Sequence, residues 1–277
     1  MITNGIYWSK QLESQTPIGF NAIDDSRWSH LVNTSHVVKM VKGCGRVHNR
    51  LVTFSTGHMS CVRSRQNNDQ IQGDIFSFYL SRLLAITNLP PATVALVKTK
   101  DSSYDNQWQN VRTELQSYNW DKKPVVLTQY VNDLVPAYIP QQLTTDNRRL
   151  HPVAEDIGGL NVSQLTELVQ WSDLIVFDYL TANMDRLINN MVNHQWDQQI
   201  MQKPVHNLLK VKNSGLLLFI DNESGLLHGY RLINKYERQH RSVLSALCIF
   251  PIQEKHFRQK CLLCSTISSG EELQNIV

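Results

Sequence analysis

The chain has 277 residues with 42% hydrophobic content, enough to bury a substantial core, which excludes a disordered or fibrous protein. Its formal net charge of +3 is small for this length, and its Lys and Arg residues are dispersed, so the composition gives no support for nucleic acid as a partner. No stretch approaches the roughly 20 apolar residues of a membrane span, and the segment after Met1 lacks the apolar centre of a signal peptide, so the chain as written reads as soluble.

Short β-rich runs come first. Residues 35–41, 49–54, 60–65, 92–98 and 125–131 read as strands, with Gly43, Gly45 and Gly57 marking the turns between the first three. Between the third and fourth, residues 69–86 carry Ile71, Ile75, Phe76, Tyr79, Leu80, Leu83 and Leu84 at helical spacing, which predicts one main helix. Asn88-Leu89-Pro90-Pro91 stops it, because proline lacks the N–H a helix needs and drives its predecessor out of the helical region.

The pattern changes near residue 140. After a polar connection, Ser163 is expected to cap a helix running to about Ala182. An apolar strand over 216–220 follows, and helical patterns return from about Arg241. The reading is a single α+β domain over 1–277 with two lobes. A β-rich N-lobe with one main helix spans about 1–140, and a mostly helical C-lobe spans about 141–277.

Polar groups crowd where the helix after Ser163 ends. Asp185 and Asn190 stand five residues apart in an expected loop, and about thirty residues later Leu216-Leu217-Leu218-Phe219-Ile220 delivers Asp221 at the end of a buried strand. This is the order of a kinase-like phosphoryl-transfer site. There, an Asp accepts the proton of the attacking hydroxyl while an Asn and a second Asp hold a divalent metal. Such oxygen donors suit Mg²⁺ or Mn²⁺, with ATP as the phosphoryl donor. Glu223, two residues past Asp221, points to the same side if the strand continues and adds a ligand or supports one.

Toward the N-terminus, Gly43-Cys44-Gly45 joins the first two strands as either a phosphate-covering glycine loop or an ordinary hairpin turn. Arg63 and Asp74 occupy the positions of the kinase Lys and its helix Glu partner. Both residue types are changed, a longer donor with a shorter acceptor, and a surface ion pair is the alternative reading.

Several strings resemble the Four-jointed family of Golgi secretory-pathway kinases: Gly43-Cys44-Gly45-Arg46, Asp69-Gln70-Ile71-Gln72-Gly73, Phe177-Asp178-Tyr179-Leu180-Thr181-Ala182-Asn183 with Asp185-Arg186, and Asp221-Asn222-Glu223-Ser224-Gly225. The resemblance runs from about Gly5 to Phe250. It implies a protein-kinase-like fold, Asp185 as catalytic base, Asp221 as metal ligand, and ATP with Mn²⁺ as the cofactor pair. It also implies a type II membrane protein of the Golgi lumen, with cadherin repeats of the Fat and Dachsous type as substrates in planar polarity and growth control. Such proteins begin with a cytoplasmic tail and membrane anchor, so this chain is expected to be a lumenal piece or an incomplete gene product, with a shortened C-lobe. A lipid or small-molecule kinase, and a kinase-fold binding protein without turnover, stay as alternatives.

Cys44 and Cys61 flank the expected hairpin and pair in one reading, with Cys248 bonded to Cys261 or Cys264; free buried thiols are the other. Sequons at Asn33 and Asn161 lean toward the secretory pathway as glycosylation sites. A third, at Asn222, is expected to stay unmodified because a glycan there would block the site.

Overall fold

The computed structural model describes residues 2–3, 6–7, 10–64, 67–98, 107–120, 122–144 and 158–244. A hairpin of β1 (Ile2–Thr3) and β2 (Ile6–Tyr7) leads into helices α1 (Lys10–Gln15) and α2 (Ala22–Thr34). Strands β3 (Val37–Lys42), β4 (Arg50–Phe54) and β5 (Met59–Arg63) follow, and helix α3 (Asn68–Leu83) separates them from β6 (Ala92–Leu96). Helix α4 (Arg112–Ser117) precedes β7 (Pro124–Gln129), which closes an antiparallel five-stranded sheet in the order β3-β4-β5-β7-β6. Alternate burial along β4 marks one face of this sheet as core, where Val52 and Phe54 pack with Val62, Leu127 and Trp28 of α2.

A second, three-stranded sheet contains β8 (Leu134–Tyr138), β9 (Pro204–Val211) and β10 (Leu217–Phe219) in the order β10-β9-β8. Helix α5 (Val162–Thr181) runs through this lobe with α6 (Leu187–Asn193) and α7 (Ile233–Leu244) beside it. Helix α5 is buried almost all round, Trp171, Leu174 and Phe177 being wholly enclosed, as expected of a helix whose apolar residues leave no polar face. Asn88 joins the two lobes: its amide donates to the Leu217 carbonyl at 2.9 Å and to Gln170 Oε1 at 3.1 Å.

The five expected strands form, each within two residues of its expected ends. Several features differ. Helix α3 stops at Leu83, before the prolines, and Phe76, Tyr79 and Leu83 lie on its exposed face rather than in the core. Asn161, not Ser163, caps α5, accepting from the Gln164 N–H at 2.9 Å in a reciprocal capping box. Helix α2, absent from the sequence reading, adds a second long helix to the N-lobe; its buried stripe is only Trp28 and Val32. Strands β8 and β9 were also missed, because Pro136 interrupts one and polar residues such as His206, Asn207 and Lys210 punctuate the other. The chain enters its second sheet by Leu134, ahead of the change of pattern near residue 140. Helix α7 begins at Ile233, before Arg241, and the helical reading beyond Leu244 lies outside the described residues.

Candidate active site

A cleft of about 780 Å³ opens between the two sheets. At one end it is apolar, with Leu134, Leu209, Leu218 and Ile220 beside the 129–131 connection between lobes; at the other it is charged, with Arg46, Arg63, Asp185 and Asp221.

Strand β5 delivers Arg63 into this cleft, and the first turns of α3 deliver Asp74. Arg63 Nη1 donates to Asp74 Oδ2 at 3.0 Å, and both side chains are less than a tenth exposed, so the pair is buried and not a surface ion pair. Arg63 Nε lies 3.6 Å from Asp221 Oδ1. Burial alone would lower the Arg63 pKa, but Asp74, Asp221 and Glu223 outweigh it and hold the guanidinium above its ordinary value. Asp74 reaches further still: its Oδ1 accepts the Asn222 N–H at 3.0 Å, so one carboxylate ties β5, α3 and the turn after β10 together. Close approach of α3 to that turn depends on Gly73, where a Cβ would stand 3.0 Å from the carbonyl oxygens of Glu223 and Gly225.

Asp221 follows β10 with φ 56° and ψ 57°, a left-handed conformation that Asp tolerates better than most residues. The strand does not continue, contrary to the expectation that aligned Glu223 with Asp221. Residues Asn222–Ser224 form a single 3₁₀ turn, in which Glu223 is buried with its carboxylate against Arg46 of the cleft wall. Beneath it sits Arg186, wholly buried, which donates to Asp178, to Asn222 Oδ1, to the Ile220 carbonyl at 3.0 Å and to the Asn207 carbonyl at 3.1 Å. Burial pushes the Asp178 carboxyl up to about 7 against the opposing pull of Arg186.

Asp185 lies in the cleft wall, its Oδ2 accepting from the Ser224 hydroxyl at 2.5 Å and its N–H donating to Asn183 Oδ1 at 3.0 Å. Asn190 does not join it. The expected loop is helix α6, which turns Asn190 inward, buried, with its amide donating to the Ile200 carbonyl at 3.0 Å; the neighbouring Asn189 faces the cleft instead. Successive residues of a helix point about 100° apart around its axis, which is why Asn189 and Asn190 part.

Cys44 and Cys61 are joined by a disulfide that ties the loop after β3 to β5. Cys44 and Gly45 border the cleft, whereas Gly43 packs against Leu51, 2.8 Å from where its Cβ would be. The next residue, Arg46, reaches across: its Nη1 lies 2.5 Å from Glu223 Oε1, its Nε 3.2 Å from Asp221 Oδ2, and its Nη2 3.8 Å from Asp185 Oδ2. Cys248 lies outside the described residues, as do Cys261 and Cys264.

The donor set fits a hard divalent cation. Asp185, Asp221 and Glu223 already share one cation, the Arg46 guanidinium, and Asp221 Oδ1 is buried without a hydrogen-bond partner. Among the described residues no three acidic, His or Cys groups converge closely enough to be a metal centre as they stand. Of the three sequons, Asn33 and Asn161 are exposed, while Asn222 is buried with its amide donating to the Phe219 carbonyl at 3.0 Å. Arg46, Arg186 and Asn189 received no role from the sequence; the first two stand beside residues that did, within the strings Gly45-Arg46 and Asp185-Arg186.

Residues 23–276 match the Four-jointed box protein middle domain. Four-jointed box protein 1 of Xiphophorus maculatus is 43% identical over 250 residues, covering 90% of this chain and 57% of that protein. The extracellular serine/threonine protein kinase four-jointed of Drosophila melanogaster is 41% identical over 298 residues, covering 90% of this chain and 50% of that one. The chain thus spans about half the length of these relatives. Among solved structures, the Golgi casein kinase with Mn/ADP bound superposes with a TM-score of 0.53 at 11% identity, covering 98% of this chain and 76% of the other, which shows the protein-kinase-like α+β fold. With its sequence match over most of its length and two relatives above 40% identity, the chain belongs to the Four-jointed box protein middle-domain family.

Proposed function

We propose that this chain carries the catalytic core of a secretory-pathway Ser/Thr protein kinase, acting in the Golgi lumen or after secretion. In this reading it moves the γ-phosphate of ATP to hydroxyls in extracellular cadherin repeats of the Fat and Dachsous type, in planar cell polarity and growth control. One observation carries the reading: a single cleft in which the buried Arg63–Asp74 pair meets Asp221, with Asp185 half exposed beside them. The name of the Drosophila relative and the Mn/ADP bound to the Golgi casein kinase support kinase chemistry. The Cys44–Cys61 disulfide supports an oxidising compartment, and the resemblance supports the cadherin-repeat substrates.

The apolar end of the cleft takes the base, and Arg63, fixed by Asp74, faces the phosphates. A bound Mn²⁺ or Mg²⁺ supplies positive charge that neutralises the phosphate oxygens, and Asp221 and Glu223 are the residues to hold it. Asp185 accepts the proton of the substrate hydroxyl as that oxygen bonds to the γ-phosphorus and the bond from phosphorus to the departing ADP oxygen breaks.

The test is transfer of labelled phosphate from ATP with Mn²⁺ to a purified cadherin-repeat protein. Asp185→Asn is expected to cost about 10²- to 10⁴-fold in rate with nucleotide affinity retained, the loss typical for a general base. Arg63→Ala is expected to lose nucleotide binding itself. Nucleotide binding without transfer by the unmutated chain would make it a binding protein, and absence of nucleotide binding would reject the reading altogether.

A further inference from the structure

Arg46 sits where the site's own chemistry would set a metal ion. Its guanidinium touches all three acidic side chains of the charged end, Asp185, Asp221 and Glu223, and does so from the opposite lobe. Two of the contacts are closer than 3.5 Å, and Glu223 is otherwise almost entirely buried. Carboxylates gathered this closely repel one another, and with Asp74 counted beside them the guanidiniums of Arg46 and Arg63 leave the four with a formal charge of −2, the charge one divalent cation would cancel.

The backbone that carries Arg46 is fixed while its side chain is half exposed. The disulfide anchors Cys44, and the Cys44 carbonyl accepts from Asn49 Nδ2 at 2.7 Å and from the Arg46 N–H at 3.2 Å. The Asn49 N–H donates to the Arg46 carbonyl at 2.9 Å, closing the turn. Four or five bonds of side chain can therefore swing over the cleft without the loop leaving it. The planar donor fork of a guanidinium released from carboxylates suits the oxygens of a polyphosphate.

We propose that Arg46 is a tethered cation that competes with the divalent metal for Asp185, Asp221 and Glu223, and that metal–nucleotide entry moves it from those carboxylates to the phosphates. This rests on the nucleotide-dependent reading above. The exchange is a switch of partners with no bond made or broken. A metal entering alone must evict Arg46, which weakens its apparent affinity by the fraction of molecules in which the carboxylates are free. A metal entering with its nucleotide gives Arg46 a new partner.

The test is Mn²⁺ binding by calorimetry and paramagnetic resonance, without nucleotide and with a non-hydrolysable ATP analogue, on the unmutated chain, Arg46→Gln, Arg46→Lys and Asp221→Asn, each checked for native circular dichroism. Arg46→Gln is expected to bind free Mn²⁺ about tenfold more tightly, as follows if the guanidinium occupies the site in about nine molecules of ten. It is expected to bind the Mn²⁺–analogue complex about tenfold more weakly, the scale of one lost charge-assisted hydrogen bond. Arg46→Lys, which keeps the charge but not the fork, should fall between in both. A purely structural Arg46 would weaken both affinities on removal, so unchanged or weaker free Mn²⁺ binding by Arg46→Gln overturns the proposal while leaving the kinase reading intact. Mn²⁺ binding that Asp221→Asn does not disturb, or no Mn²⁺ binding by either Arg46 form, overturns both.

Discussion

Replacing Arg186 with Met removes the guanidinium that holds the floor of the cleft together. Arg186 is wholly buried, pairs with Asp178, and supplies donors to Asn222 Oδ1 and to the carbonyls of Asn207 and Ile220, so four acceptors lose a donor at once. Breaking one side of a buried ion pair typically costs about 3–5 kcal/mol, because the remaining charge is left without compensation. The size is limited here, since Asp178 already has its carboxyl pushed up to about 7 by burial and takes up a proton near neutral pH when Arg186 is gone. About 3 kcal/mol at pH 7, read from denaturant unfolding, is the expected loss. Removing both partners, in Arg186→Met with Asp178→Leu, should recover about 1 kcal/mol or more, because no carboxylate then remains to be neutralised. The Ile220 carbonyl remains orphaned, whereas that of Asn207 keeps the Ile220 N–H, so recovery is incomplete. Because Ile220 and Asn222 flank Asp221, both variants should also lose nucleotide affinity. A single-mutant cost below about 1 kcal/mol, or no gain in the double mutant, would refute Arg186 as the buried hub.

Gly73→Ala probes how α3 meets the Asp221 turn. In an exposed helix this change stabilises by about 1 kcal/mol; here the new Cβ would stand 3.0 Å from two backbone carbonyl oxygens, and a loss of about 1–3 kcal/mol with weaker nucleotide binding is expected. A raised melting temperature would show that α3 has room to move. His240 on α7 provides a pH test. Burial lowers its pKa from 6.5 to about 4, so the unfolded chain binds the extra proton between these values and stability rises with pH across that window. Asp178, raised from 3.8 to about 7, binds its proton more tightly when folded and acts with the opposite sign over an overlapping range. The two are separated by comparing the unmutated chain with His240→Phe, which keeps the edge-on ring against Tyr179. Relative to His240→Phe, the unmutated chain should lose up to about 3 kcal/mol of stability as pH falls from 6.5 to 4. A pH-independent difference would remove His240 as the titrating group.

Asp185 and Asp221 were legible in the chain itself because each stands where a strong apolar pattern ends, and a carboxylate after a buried helix or strand is held at a core's edge facing the cleft. The five strands of the first sheet and helix α3 were legible for the same reason, since local periodicity reports burial. Arg63 and Asp74 were identified by their order along the chain, but only the packing of β5 against α3 made them a buried pair rather than a surface one.

What periodicity does not encode is which side of a short element faces a site. Asn190 and Asn189 are equally polar neighbours, and the turn of α6 alone decides that Asn190 meets the Ile200 carbonyl while Asn189 faces the cleft. Glu223 aligns with Asp221 only on a strand that continues; the strand stops at Phe219, and a 3₁₀ turn sets the buried Glu223 against Arg46 instead. Sequence by itself determined where the apolar runs end, and so that the carboxylates of Asp185 and Asp221 stand at the edge of a core. Tertiary structure decided that Arg46, 177 positions from Glu223, meets its carboxylate, because contacts between distant segments follow from chain topology and not from local pattern.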